Sequence, residues 1–128
     1  TLFRSLLTEH VRSRLARQIS YENADKQGRM AVITLSPEFE QSFTESLIGH
    51  GEDKQLAMAP TKLQDFISKA KSQLESSSVK GLNPVILVSP NIRPYVRAVV
   101  ERFRPQTPVI SQNEIYPRIQ LDGAGEVK

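Results

Sequence analysis

The chain has 128 residues, a formal net charge of +3 and no cysteine. That length holds one domain, or one domain and a piece of its neighbour. The lack of thiols excludes disulfides and thiolate metal sites, no apolar run is long enough to span a membrane as a helix, and the Lys and Arg residues are spread out rather than gathered into the dense patch of a nucleic-acid binder.

In chain order, Thr1 to about Glu22 reads as a helix. Leu7, Val11, Leu15 and Ile19 recur at i+4, with Leu6 and Ala16 widening the stripe, while Arg12, Arg14 and Arg17 cover other faces among Glu9 and Glu22. No signal peptide is visible. Leu2-Phe3 reads as the inside of an element, as in a piece excised from a longer protein, with any membrane segment upstream. The apolar stripe is then expected to lie partly uncovered and to find a partner. Asn23 to Gly28 turns the chain.

Met30 to Leu35, rich in β-branched residues, predicts a strand. Ser36-Pro37-Glu38 predicts a helix start, with a serine cap, proline at the first position and an acid in the first turn. Phe39, Phe43 and Leu47 mark its buried stripe and Gly49 its end. Gly49 to Pro60 reads as a loop whose Leu56 and Met58 tuck inward. Thr61-x-x-Gln64 fits a capping box, opening a helix with Leu63, Phe66, Ile67, Ala70 and Leu74 on its apolar side. Ser76-Ser77-Ser78 is expected to fray that helix.

Pro84 introduces Val85-Ile86-Leu87-Val88, a short apolar run that predicts a strand buried on both faces, with Leu87 fully buried. Asn91 is the expected cap of a helix reaching Arg104, with Pro94 in its first turn and Ile92, Val96, Val99, Val100 and Phe103 inward. Pro105 stops it, and Pro108 to Ser111 opens another strand. Strand, helix, strand at this spacing is a βαβ unit, so the two strands should be parallel. Arg118 to Leu121 predicts a last short strand, and Asp122-Gly123-Ala124-Gly125 a turn or mobile tail. The fold class is α/β: a small, largely parallel sheet of three or four strands with helices on its faces.

Catalytic patterns are sparse. His10 and His50 have no ligand spacing, no serine lies in a G-x-S-x-G elbow, and no phosphate-binding glycine loop occurs. Two chemistries stay open. Ser89-Pro90-Asn91 joins a strand end to a helix start beside Arg93, where anionic ligands of open α/β sheets bind; a phosphate or nucleotide would fit there, although the turn lacks glycine. Arg12, Arg14 and Arg17 could instead contact nucleic acid.

A set of ordered pieces resembles one family. These are Leu7-Thr8-Glu9-His10-Val11-Arg12 with Leu15-Ala16-Arg17-Gln18-Ile19, then Val32-Ile33-Thr34-Leu35-Ser36-Pro37-Glu38-Phe39-Glu40. Val85 to Pro90, Arg93-Pro94, Glu101-Arg102-Phe103, Pro108 to Ser111 and Asn113-Glu114-Ile115 complete it. The family is the large export-gate subunit of bacterial flagellar and virulence type III secretion. The resemblance implies residues 1–27 as the end of a helical subdomain and 28–128 as a C-terminal α/β subdomain. It implies no enzyme activity and no cofactor. It further implies a place at the cytoplasmic face of the bacterial inner membrane, self-association into a ring, and docking of other export-apparatus subunits, chaperones and substrates. Nucleic acid is not an implied partner. His10-Val11-Arg12 and Leu35-Ser36-Pro37-Glu38 look more flagellar. Within this frame Arg93, Arg97 and Arg104 are expected to face outward and, with the Asn113-Glu114-Ile115 turn, to contact a partner; Arg97 and Glu101 can pair at i, i+4.

Overall fold

The computed structural model describes residues 11, 12, 14–24, 28–49, 55–115 and 118–128. The elements are α1 (Ala16–Asn23), β1 (Arg29–Leu35), α2 (Pro37–Glu45), β2 (Leu47–Ile48), β3 (Gln55–Leu56), α3 (Pro60–Val79), β4 (Val85–Val88), α4 (Arg93–Val100), β5 (Val109–Ser111), a 3-10 turn (Gln112–Glu114) and β6 (Gln120–Val127). Strands β5-β4-β1-β6 form one sheet in that order, every neighbouring pair parallel. The expected α/β class and parallel βαβ unit are therefore present. Of the first helix, Leu7 and its neighbours lie outside the described residues, as do His10 and His50.

Alternation along the strands builds two cores. Ile33, Leu35, Ile86, Val88, Val109 and Val127 pack with Phe39, Phe43, Phe66, Ala70, Leu74, Val96, Val99 and Val100 from α2, α3 and α4. Met30, Val32, Val85 and Ile110 point the other way, towards Ile19 of α1 and Ile119. This second layer is thinner. Leu87 lies on that side and is only half-buried, whereas Ile86 beside it is fully buried; the expectation of a fully buried Leu87 is corrected. Val11 and Leu15 remain 46% and 43% exposed, so this part of the stripe is uncovered by the described residues.

Local chemistry explains the helix ends. Ser36 accepts from the Phe39 amide at 3.3 Å with Pro37 at the first position, as the sequence predicts. That helix ends at Glu45, and Leu47 enters the small β2-β3 hairpin instead of its stripe. Helix α3 starts at Pro60 behind Ala59 and uses no side-chain cap, so Thr61-x-x-Gln64 is not its capping box. The three serines do not fray it: Ser77 is buried and α3 runs to Val79. It stops in a Schellman arrangement, with Leu82 N–H donating to Ser77 O at 3.0 Å and Gly81 N–H to Ser78 O at 2.9 Å. Gly81 holds φ 78° there. Gly81→Ala meets no steric obstacle around its Cβ, so it isolates the backbone cost and should lower stability by about 1 kcal/mol in urea unfolding.

The C-terminal segment departs most from expectation. Asp122 to Gly125 is not a tail: β6 continues to Val127, pairs with β1 along its length, and bulges between the partners of Val32 and Ile33. Val127 is fully buried, and its carbonyl accepts from the Ser36 amide at 2.8 Å.

Helix α4 is shorter than expected. It closes at Val100 and continues to Arg104 as turns, Phe103 N–H reaching Val100 O at 3.1 Å. Pro94 lies in its first turn, as expected, but the cap position is Ile92 and carries no side-chain bond. Burial raises the Tyr95 hydroxyl above its ordinary 10.0. The folded chain therefore holds that proton more tightly than the unfolded one. Its contribution to stability is complete below pH about 10 and is lost as pH rises through the folded value. Tyr95→Phe should flatten that part of the alkaline unfolding profile.

Candidate functional site

The residues expected to carry function converge on a buried carboxylate. Strand β5 ends at Ser111, and the following 3-10 turn folds Glu114 back beneath it. Glu114 Oε1 accepts from the Ser111 amide at 3.1 Å and from its hydroxyl at 2.8 Å. Ser111-x-x-Glu114 is thus a capping box, a pattern legible in the sequence but overlooked there. Helix α4 supplies Arg93, whose Nε lies 2.8 Å from Val109 O and 3.3 Å from Glu114 Oε1. From the N-terminal segment, Arg12 reaches Glu114 Oε2 at 2.7 Å, and Ser20 donates to the Glu114 carbonyl at 2.6 Å.

Both central groups are enclosed: Glu114 is 1% and Arg93 8% exposed. The Arg12 contact is one of charge only, because Arg12 Nε and Glu114 Oε2 complete no hydrogen bond. Ser111 gives the carboxylate its hydrogen bonds, and Arg12 at 2.7 Å and Arg93 at 3.3 Å supply the positive charge. The node ties α1 to the β5 end of the sheet through side chains that are distant in sequence.

This corrects the outward face. Arg93 and Glu114 point inward, because a buried carboxylate needs a cationic partner and an arginine can satisfy a strand carbonyl as well. Arg97 does not serve the Glu101 pair; it donates to Thr107 O at 3.2 Å and Pro105 O at 3.1 Å. The two arginines together cover carbonyls along β5 and the loop before it, an edge that would otherwise invite another strand. Arg104, half-buried, lies at the far end of α4, on the wall of a cleft of about 650 Å³ with Arg29, Asp122 and Gln106. Asn113 is exposed and Ile115 half-buried at the opposite end. The six residues therefore do not form one continuous face.

The anion edge is already occupied from within. The Ser89 amide donates to Glu40 Oε1 at 3.2 Å, which places a carboxylate where a phosphate would need a donor. Asn91 Nδ2 turns to Thr44 Oγ1 at 3.4 Å instead of capping α4. On the N-terminal segment, Arg12 is committed to Glu114. Neither the phosphate nor the nucleic-acid alternative gains support from these contacts. Among the described residues, no three His, Cys, Asp or Glu side chains gather as metal ligands, and no helix is long and apolar enough to cross a membrane.

Comparison with known proteins agrees with the resemblance. The FHIPEP family model matches residues 4–120. The flagellar biosynthesis protein FlhA of Caulobacter vibrioides is 52% identical over 94% of this chain, and that of Helicobacter pylori 32% over 96%. The chain spans 17% of the length of each. Among solved structures, the Chlamydia pneumoniae CdsV protein superposes with a TM-score of 0.85 at 30% identity, covering 97% of this chain and 35% of that one. The nonameric EscV cytosolic domain from the type III secretion system gives 0.74 at 28%, covering 96% and 36%. The chain belongs to the FHIPEP family, and what it matches there is the C-terminal cytoplasmic domain of the FlhA- and SctV-type export-gate proteins.

Proposed function

We propose that this chain is the distal cytoplasmic part of a flagellar export-gate subunit, at the inner face of the membrane. It helps assemble a ring, receives export substrates or their chaperones, and takes part in switching the order of export. The observation that carries the flagellar reading is the 52% identity to a flagellar FlhA, against 26% to the low calcium response locus protein D of Yersinia pestis. Ring assembly is supported by the nonameric relative, and docking of other proteins by the solved complex of CdsV with CdsO. Residues 1–27 are the end of a helical subdomain and 28–128 the α/β subdomain; the exposed Val11 and Leu15 suit a face that continues onto upstream helices.

The surface for partners keeps Arg104, Asn113 and Ile115, while Arg93, Arg97 and Glu114 act from inside by fixing the loop and turn that present them. In the full-length protein, Arg104→Ala with Asn113→Ala should lower secretion of flagellar proteins into the medium, with only a small drop in melting temperature from the acceptor that Asn113 gives the Ser111 hydroxyl. Export at the unmodified level, with the protein made in normal amount, would remove these residues from the proposal.

A further inference from the structure

Away from the Glu114 node, a second concavity of about 330 Å³ runs between α4 and the segment that leads into α3. One wall is Leu56 and Met58 with Leu63 of α3; the other is Tyr95, Ala98 and Val99 of α4, with Arg102 just beyond the helix end. Tyr95, Ala98, Val99 and Arg102 stand at i, i+3, i+4 and i+7, a single stripe along the helix. Ala98 is exposed, so the floor of the groove has no long side chain to hold an approaching chain off. Leu56, Met58 and Leu63 rest on the main core beneath and keep part of their apolar surface uncovered.

The composition is that of a recognition surface. Tyr, Met and Arg are the residues enriched in the buried centres of protein interfaces, and methionine adapts to varied apolar partners. Among the described residues the charge is one-sided: they line the groove with one arginine and no carboxylate. Arg102 is exposed and has no ion pair among the described residues. Burying it beneath an uncharged partner would strand a cation, so the complementary partner carries a carboxylate at that end.

We infer that this groove docks a segment of a partner protein whose apolar side chains enter between Met58 and Ala98 and whose acidic flank pairs with Arg102. The site is separate from Arg104, Asn113 and Ile115, and the test reads binding to the chain itself, so its failure leaves the export reading standing.

The experiment uses the full 128-residue chain and three fluorescein-labelled synthetic peptides of equal length, followed by anisotropy. One carries a leucine–phenylalanine pair flanked by Asp and Glu, one the same pair flanked by Lys, and one the acidic flanks with the apolar pair replaced by serine. Saturable binding is expected of the first alone. Arg102→Glu should weaken it at least about tenfold and transfer preference to the Lys-flanked peptide. Ala98→Trp, which fills the floor, should abolish both. Arg102→Glu alters an exposed side chain and keeps the test valid if Ala98→Trp does not fold. No binding by the acidic apolar peptide, equal binding of all three, or binding insensitive to Arg102→Glu overturns the inference.

Discussion

Replacing Glu114 by alanine is expected to cost about 3–5 kcal/mol of folding stability, because it removes one member of a buried charge pair and leaves the enclosed Arg93 cation without that carboxylate. The loss includes the capping box to Ser111, since the amide at 3.1 Å loses its acceptor and the hydroxyl is left with Asn113 Oδ1 alone. Arg93 keeps Val109 O, which softens the penalty but cannot neutralise the cation. Arg12→Ala should cost far less, about 1 kcal/mol or below, because Arg12 is partly exposed and its contact lacks hydrogen-bond geometry. Urea unfolding of the two variants measures the contrast, with an unchanged slope on denaturant marking a true stability effect. A loss below about 1 kcal/mol for Glu114→Ala, when a broken buried pair should cost several times more, would mean that the carboxylate is not the tie between α1 and the sheet.

Phe66→Ala should be comparably severe, at about 3–5 kcal/mol. Phe66 is fully buried and meets two other rings edge-on, Phe39 at 5.5 Å and Phe43 at 5.0 Å between centroids. Those rings belong to α2 and Phe66 to α3, so the substitution empties the contact that packs the two helices together. Phe66→Leu refills most of the volume, and its cost should fall below half that of alanine. Equal losses for leucine and alanine would show that ring geometry, rather than volume, holds the helices.

Elements were legible where the signal was local. The run Val85 to Val88, the Ser36-Pro37 start and the stripe Ile92-Val96-Val99-Val100 each fix their element through neighbours within a few residues, and each is present. The βαβ unit follows from them. Three things were not legible. Gln120 and Leu121 fall within the expected last strand, but the rest of β6 passed for a turn or tail because Gly123, Ala124 and Gly125 show almost no side-chain pattern, and the pairing that makes it a strand comes from β1. The end of α3 passed for frayed because serines favour caps in isolation, while here Ser77 is enclosed and Gly81 sets the stop. The site was harder still. A charged residue on a helix reads as solvent-facing by default, and Arg93 departs from that default only because Glu114 and the Val109 carbonyl wait beside it. Nothing near Glu114 in sequence announces Arg12 or Ser20.

The family match also changes what those inward arginines mean. Arg93, Arg97 and Glu114 hold the loop before β5 and the turn after it, so whatever docks on Arg104 or Asn113 meets a surface already fixed from inside. Substitutions there should act on export through stability, whereas substitutions of Arg104 and Asn113 should act with at most a small loss of it, that of the Asn113 acceptor for the Ser111 hydroxyl. The two kinds of variant can be told apart by melting temperature before any secretion is measured.

The most direct measurement exchanges the matching C-terminal segment of Caulobacter vibrioides FlhA, 52% identical, for this chain in the full-length protein, and scores swimming motility with the hybrid made at the normal level. The export-gate reading predicts motile cells, with motility lost again when the hybrid carries Glu114→Ala. Non-motile cells holding a normal amount of folded hybrid, or motility unchanged when the segment is deleted altogether, would contradict it.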